Sequence, residues 1–168
     1  RLMLEKSQNN FCSKCGSKLE SIHNNQTSEF NCKKCNSTFY LDPKVAAVVI
    51  VKKQNKILLV KRSIDPHLGK WSLLSGYVNR GEKVEDAAIR EVKEEVHIDV
   101  SITELQGVYS GLSPVIIVVF HAIHNSGELS ISNEVSDFKW VKNDEIPELP
   151  FIYDQQIIKD YLLNIQNN

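Results

Sequence analysis

One residue type is missing from most of this chain: four cysteines fall within the first 35 residues, and none occurs between Asn36 and Asn168. A long domain without cysteine has no disulfide framework and must be held by a hydrophobic core. Long apolar runs are missing as well. The longest, Val45 to Val51, is seven residues, against the roughly 20 that a membrane-spanning helix needs, so no membrane span or membrane partner is expected. Neither sign of charge dominates. Twenty Lys and Arg face 21 Asp and Glu, for a net charge of -1 and a pI near 6.6, which gives no global attraction to nucleic acid or anionic lipid. Any phosphate binding must be local. The 168 residues accommodate one full-sized domain and a small module.

The cysteines themselves define that module. Cys12 and Cys15 form one C-x2-C pair and Cys32 and Cys35 a second, with 16 residues between the pairs, a spacing that suits a four-thiolate zinc site. Gly16 and Asn36 follow the two knuckles and suit the positive φ such turns require. Two disulfides are the alternative reading. The residues ahead of Cys12 do not read as a secretory leader and the larger domain has no cysteine, which favours metal and a cytoplasmic setting. No βαβ pattern surrounds either pair, so a redox motif is disfavoured. Across residues 1–40, Arg1, Lys6, Lys14, Lys18, Lys33 and Lys34 oppose Glu5, Glu20 and Glu29. Four thiolates and one zinc ion leave a charge of about +1, a poor nucleic-acid surface. The expected role is structural, because so small a core does not fold without its metal. The expected boundaries are a loose N-terminus at 1–9, a zinc ribbon at 10–40, a linker at Asp42-Pro43 and a main domain at 44–168.

In the main domain, Val45 to Val51 reads as a buried strand with Lys56 to Arg62 as its hairpin partner across Lys52 to Asn55. A turn-rich loop from Ser63 to Lys70 leads to Trp71 and a short apolar stretch, Leu73 to Val78. An acidic helix is predicted from about Lys83 to Val96. Strands follow at Ile102 to Tyr109, Val115 to Ile123 and Val135 to Val141, and a closing helix at Tyr153 to Leu163. This order favours a mixed sheet with helices on its faces.

The acidic helix is patterned against its own stability. At 100° per residue, Val84, Ala87 and Ala88 fall within about 60° of Glu91, and so do Glu94 and Glu95. Carboxylates thus share the stripe that the apolar residues define as inward, with Glu94 at its edge. Such a cluster repels itself and pays for desolvation unless a cation joins it. Arg90, at about 260°, reaches one flank. Hard oxygen ligands favour magnesium or manganese over zinc. From the helix alone, an acidic face that emerges into water at the sheet edge is the alternative.

The wider spacing is more specific. Five residues separate Gly76 from Glu82, and seven more lead to Arg90-Glu91, then Val92, Lys93, Glu94-Glu95, Val96, His97 and Ile98. This resembles the Nudix box, G-x5-E-x7-R-E-U-x-E-E-x-G-U with U aliphatic, and matches it except that His97 replaces the second glycine. That glycine ends the helix in a left-handed cap, which histidine tolerates less well, so altered capping with retained chemistry is expected. Leu74-Ser75 also stands where many members have proline and glycine. The two-knuckle ribbon, the strand pair, Trp71 and the Asp144-Glu145-Ile146-Pro147 ending extend the resemblance from Phe11 to about Leu163. Together they look like zinc-ribbon Nudix hydrolases that cleave the pyrophosphate of NADH, ADP-ribose or FAD.

The resemblance implies an α/β fold, an α/β/α sandwich with a mixed sheet preceded by the ribbon. It also implies Mg2+ or Mn2+ on Glu91, Glu94, Glu95 and the Gly76 carbonyl, structural Zn2+ on the four cysteines, and a homodimer that takes a small dinucleotide. Arg90 and Glu82 would orient the acids, and Glu94 or Glu95 would be the general base. Glu134, in a loop six residues before Trp140, is the alternative base and a candidate for binding metal or substrate; a solvated loop acid is the plain alternative. Tyr77 would stack on a substrate base or pack in the core. Lys61 and Arg62, at a strand end, are candidates to meet phosphate but read more plainly as exposed cations, and His67, His121 and His124 carry no assigned role. NADH-cleaving relatives bear S-Q-P-W-P-F-P-x-S downstream, where this chain has Gln106 to Pro114 without a match. ADP-ribose or FAD is therefore favoured over NADH. A nucleoside triphosphate or a capped RNA end is the enzymatic alternative, and a Nudix-fold sensor or nucleic-acid-binding protein the non-enzymatic one.

Overall fold

A computed structural model describes residues 11–19, 29–40 and 42–166, and the expected loose segment at 1–9 lies outside the described residues. The chain divides into two units, Arg1–Pro43 and Lys44–Asn168. In the first, β1 (Glu29–Asn31) and β2 (Thr38–Tyr40) pair antiparallel. Each cysteine pair sits in a tight turn of the same design. Gly16 N–H bonds the Cys12 carbonyl at 2.8 Å, and Asn36 N–H bonds the Cys32 carbonyl at 2.8 Å. Both turn residues are left-handed, with φ of 67° for Gly16 and 58° for Asn36, as the sequence requires.

The second unit runs β3 (Lys44–Lys53), β4 (Lys56–Arg62), β5 (Trp71–Ser72), β6 (Leu74–Tyr77), α1 (Val84–Val96), β7 (Asp99–Tyr109), β8 (Val115–Ser126), β9 (Val135–Lys142) and α2 (Asp154–Gln166). Alternation along β3 and β4 builds two cores. Ala47, Val49, Val51, Leu58 and Val60 face one, and Val48, Ile50, Ile57 and Leu59 face the other. Strands buried on both faces read as continuous apolar runs, as these do. α1 covers the first core with Ala87, Ala88, Val92 and Val96, and α2 covers the second with Ile157 and Tyr161. Each fully buried valine or isoleucine contributes about 1.5–3 kcal/mol. The result is the α/β/α sandwich with a mixed sheet.

The expected β3–β4 hairpin is shorter than its sequence suggests. Only Lys52–Ile57 and Lys53–Lys56 pair, across a turn in which Gln54 is left-handed at φ 53°. Beyond that point β3 runs parallel to β8 from Lys44–Val115 to Lys52–Ile123, while β4 pairs antiparallel with β9. β8 and β9 lie on the outer edges of the pair, so beyond the turn the facing edges of β3 and β4 are open to other strands. The parting strands leave a wedge, and residues 71–77 cross it, with β5 on β4 and β6 on β3. The apolar stretch Leu73 to Val78 thus holds β6 alone, Trp71–Ser72 ahead of it forms a separate strand on the other partner, and β6 delivers Gly76 to the site. On the α2 side, His121 is buried, with Nδ1 2.5 Å from Glu104 Oε1 and Nε2 2.7 Å from Gln106 Oε1. Gln106 Nε2 donates in turn to the Ile157 carbonyl at 2.9 Å, tying β7 to α2. Among the described residues no helix is long and apolar enough to cross a membrane.

Candidate active site

The acids of α1 take three different environments. Glu95, the penultimate residue of the helix, is 6% exposed, and its Oε2 accepts the Ser75 N–H from β6 at 3.2 Å. Glu91 is half-buried and lies against Gly76. A β-carbon there would stand 1.9 Å from Glu91 Cδ, so any larger residue in this strand displaces the carboxylate. Glu94, expected at the edge of the inward stripe, is exposed, with 60% of its side chain in solvent.

Arg90 organises the outer part of this set. Its Nε and Nη2 grip the two oxygens of Glu82 at 2.8 and 3.0 Å, and Nη1 reaches Glu91 at 2.6 Å and Glu94 at 3.0 Å. Nη2 also donates to the Tyr77 carbonyl at 3.0 Å. The sequence reading gave Arg90 one flank; the extended guanidinium spans the loop and two box glutamates. Its fork holds the Glu82 carboxyl down at about 2 and the carboxylates hold the guanidinium protonated in return. No arginine or lysine among the described residues hydrogen-bonds to Glu95. Burial pushes Glu95 up to about 8, opposed by the Ser75 N–H and by Arg62 and reinforced by Glu91 and Glu134. Burial also raises Glu91, against the pull of Arg90.

Glu134 faces these acids from the loop before β9. Together with Glu91, Glu94, Glu95, His97, Ile131, Ser132 and Asn133 it lines a cleft of about 460 Å³. Tyr77 is 52% exposed, with Lys44 Nζ 4.6 Å from its ring centroid, which excludes the core-packing reading. The expected set Glu82, Arg90, Glu91, Glu94, Glu95 and Gly76 is thus brought together, with Glu134 opposite. Three hard carboxylates in a cleft, one of them buried without a hydrogen-bonded cation among the described residues, are chemically suited to a divalent cation.

The four cysteines form a second candidate centre. Their sulfurs all lie within 4.8 Å of one another, with Cys12–Cys35 and Cys15–Cys32 at 3.6 Å. A disulfide needs about 2.05 Å, whereas tetrahedral ligands about 2.3 Å from a zinc ion stand about 3.8 Å apart. Ser17 Oγ, 2.9 Å from Cys15 Sγ and 3.3 Å from Cys32 Sγ, holds the Cys32 thiol down at about 6 and lowers Cys15, while burial pushes Cys12 up to about 11. A cation among the sulfurs removes that penalty.

The chain matches the NUDIX domain over residues 41–161. It belongs to the Nudix family. Among its relatives is a protein named ADP-ribose pyrophosphatase from Methanocaldococcus jannaschii, 39% identical over 130 residues that cover 73% of this chain and 75% of that one. Another is the NAD-capped RNA hydrolase NudC of Pseudomonas aeruginosa, 31% identical over 84% of this chain. The chain spans about half the length of that relative, 51%. A solved NUDIX hydrolase from Nitrosomonas europaea superposes with a TM-score of 0.77 at 31% identity, covering 85% of this chain and 84% of its own.

Within the Nudix frame, two features stand outside the sequence reading. His97 keeps the left-handed helix cap, with φ 64° and ψ 16° and its N–H on the Lys93 carbonyl, so the expected change of capping does not occur. Arg62, read as an exposed cation, is partly buried; its Nε donates to the Pro66 carbonyl at 2.7 Å, its guanidinium stacks 5.2 Å from the Phe151 ring, and its charge acts on Glu95. The β4–β9 ladder, which sets Arg62 opposite Val135, brings it there, and that pairing has no local signal in the sequence.

Proposed function

We propose that this Nudix protein is a divalent-cation-dependent hydrolase. It cleaves the pyrophosphate bond of a nucleoside diphosphate linked to another group, with ADP-ribose and then FAD favoured and NADH less so. The products are AMP and ribose 5-phosphate, or AMP and FMN. The observation that carries this reading is Glu95, a buried carboxylate beside Glu91 and Glu134 with no hydrogen-bonded cation among the described residues. Such a group is costly unless a cation binds.

Glu91, Glu94, Glu95 and the Gly76 carbonyl would hold Mg2+ or Mn2+, which neutralises the diphosphate and lowers the pKa of the attacking water. Arg90 keeps Glu91 and Glu94 oriented and is itself fixed by Glu82. Glu95 or Glu94 accepts the proton of the water, and Glu134 is the alternative base. Tyr77, exposed beside Gly76, stacks on a base of the substrate, and Glu134 contacts the substrate or its cation from the opposite wall. Cys12, Cys15, Cys32 and Cys35 hold a structural Zn2+, which fits thiols kept reduced in a cytoplasm. A homodimer is the expected assembly.

The NudC relative favours a second reading, hydrolysis of a dinucleotide cap on RNA. Glu95→Gln tests the chemistry common to both. Turnover of ADP-ribose with Mn2+ is expected to fall about 10²–10⁴-fold, and unchanged turnover contradicts the assignment.

A further inference from the structure

The residue that departs from the Nudix motif touches the loop that closes the acid cleft. His97 takes the left-handed conformation, which glycine adopts freely and histidine only at a steric cost. Contacts of the ring have to offset that cost, and they fall on Ser130. Nδ1 lies 3.0 Å from Ser130 Oγ and 3.4 Å from the Ser130 carbonyl oxygen. Beside it, Ser130 N–H bonds the Val96 carbonyl at 3.2 Å. The loop is fitted to the helix end at its start as well, since a β-carbon on Gly127 would come within 3.0 Å of the His97 carbonyl oxygen. At its far end, Ser63 N–H bonds the Glu134 carbonyl at 2.8 Å. Between these anchors the loop presents Ile131, Ser132, Asn133 and Glu134 to the cleft.

We propose that His97 is a positioning residue: through Ser130 it holds the 127–134 loop against the end of α1, so that Glu134 stays opposite Glu91 and Glu95. The inference rests on the reading in which Glu134 serves this site. A glycine at 97 would supply the cap alone and leave Ser130 tied through its backbone only. The ring supplies what the motif glycine cannot, a side-chain link between the helix that carries the acids and the loop that carries their counterpart. A neutral imidazole makes the link in either tautomer, accepting the Ser130 hydroxyl or donating to the Ser130 carbonyl.

The test compares His97→Gly, Ser130→Ala and the double variant, each with Glu134 intact and as Glu134→Gln. Amide hydrogen exchange over 127–134 in the protein without added Mg2+ or Mn2+ reports the link independently of turnover. Exchange is expected to rise about fivefold in His97→Gly and in Ser130→Ala, the effect of one lost hydrogen bond. The double variant should show no further rise, and the Tm of His97→Gly should be equal or higher because glycine relieves the backbone. Unchanged exchange in His97→Gly overturns the proposal. For ADP-ribose with Mn2+, His97→Gly should lower kcat about tenfold when Glu134 is present and scarcely at all once it is Gln. An equal loss in both backgrounds overturns the proposal, because the ring then acts by another route. His97→Asn, which tolerates the left-handed cap and offers Ser130 a carboxamide, should recover part of the kcat and of the protection; recovery no better than glycine speaks against the link. Turnover untouched by Glu134→Gln contradicts the reading of Glu134, separately from the loop contact, which the exchange rates decide.

Discussion

The Glu91 carboxylate occupies the space that a side chain at Gly76 would need: a β-carbon there would stand 2.1 Å from both carboxylate oxygens. The first glycine of the motif is thus a condition for the first of its paired acids to lie against strand β6. Gly76→Ala must push Glu91 aside or bend the strand. We expect about 1–3 kcal/mol of destabilisation and a loss of Mn2+ binding, read by calorimetric titration with the metal alone. Normal Mn2+ affinity in this variant contradicts the packing argument.

Glu95 links the site to stability through pH. Its pKa is about 8 in the folded protein against 4.5 ordinarily, so between those values the folded state holds a proton that the unfolded chain has lost. Without added Mg2+ or Mn2+, stability therefore falls as pH rises from about 4.5 to about 8 and levels off above. Glu95→Gln removes this dependence. At pH 8 in magnesium-free buffer it should exceed the parent by ~2–4 kcal/mol, while near pH 4.5 the two should converge. Urea unfolding at several pH values checks it, and a parent profile identical to that of the variant is the contrary result.

The cysteine cluster predicts a metal-dependent unit. The protein should carry one zinc equivalent per chain by elemental analysis, and Cys32→Ser should lose most of it. Amides in 11–19 and 29–40 should then exchange freely, because so small a core depends on its ion. Retained protection without zinc contradicts the assignment.

Tyr77 separates binding from folding. Its ring is 52% exposed, so Tyr77→Ala should leave the Tm within about 1–2 °C, as surface substitutions do. If the ring stacks on a base, KM for ADP-ribose rises about 5- to 50-fold, equivalent to ~1–2 kcal/mol. An unchanged KM removes Tyr77 from the site.

Helical periodicity places Glu91 and Glu95 on the stripe of Ala87 and Ala88, and the buried Glu95 shows why that pattern is informative: a solvated helix would turn its acids outward. Cysteine spacing with Gly16 and Asn36 likewise encodes two turns locally. What escapes the sequence is nonlocal. The β4–β9 ladder joins segments more than 70 residues apart in the chain, and it sets Arg62 and Glu134 near the acids. His97 illustrates the opposite limit. Its departure from glycine is visible, but only its contact with Ser130, 33 residues on, shows how a strained cap is retained.

Metal-dependent pyrophosphate cleavage is tested most directly by product analysis with wild-type protein and ADP-ribose, FAD, NADH, a nucleoside triphosphate and NAD-capped RNA, with and without Mn2+ or Mg2+. Metal-dependent release of AMP and ribose 5-phosphate from ADP-ribose is expected, ahead of AMP and FMN from FAD and with NADH slower. Metal-independent turnover, or no cleavage of any pyrophosphate in the panel, contradicts it.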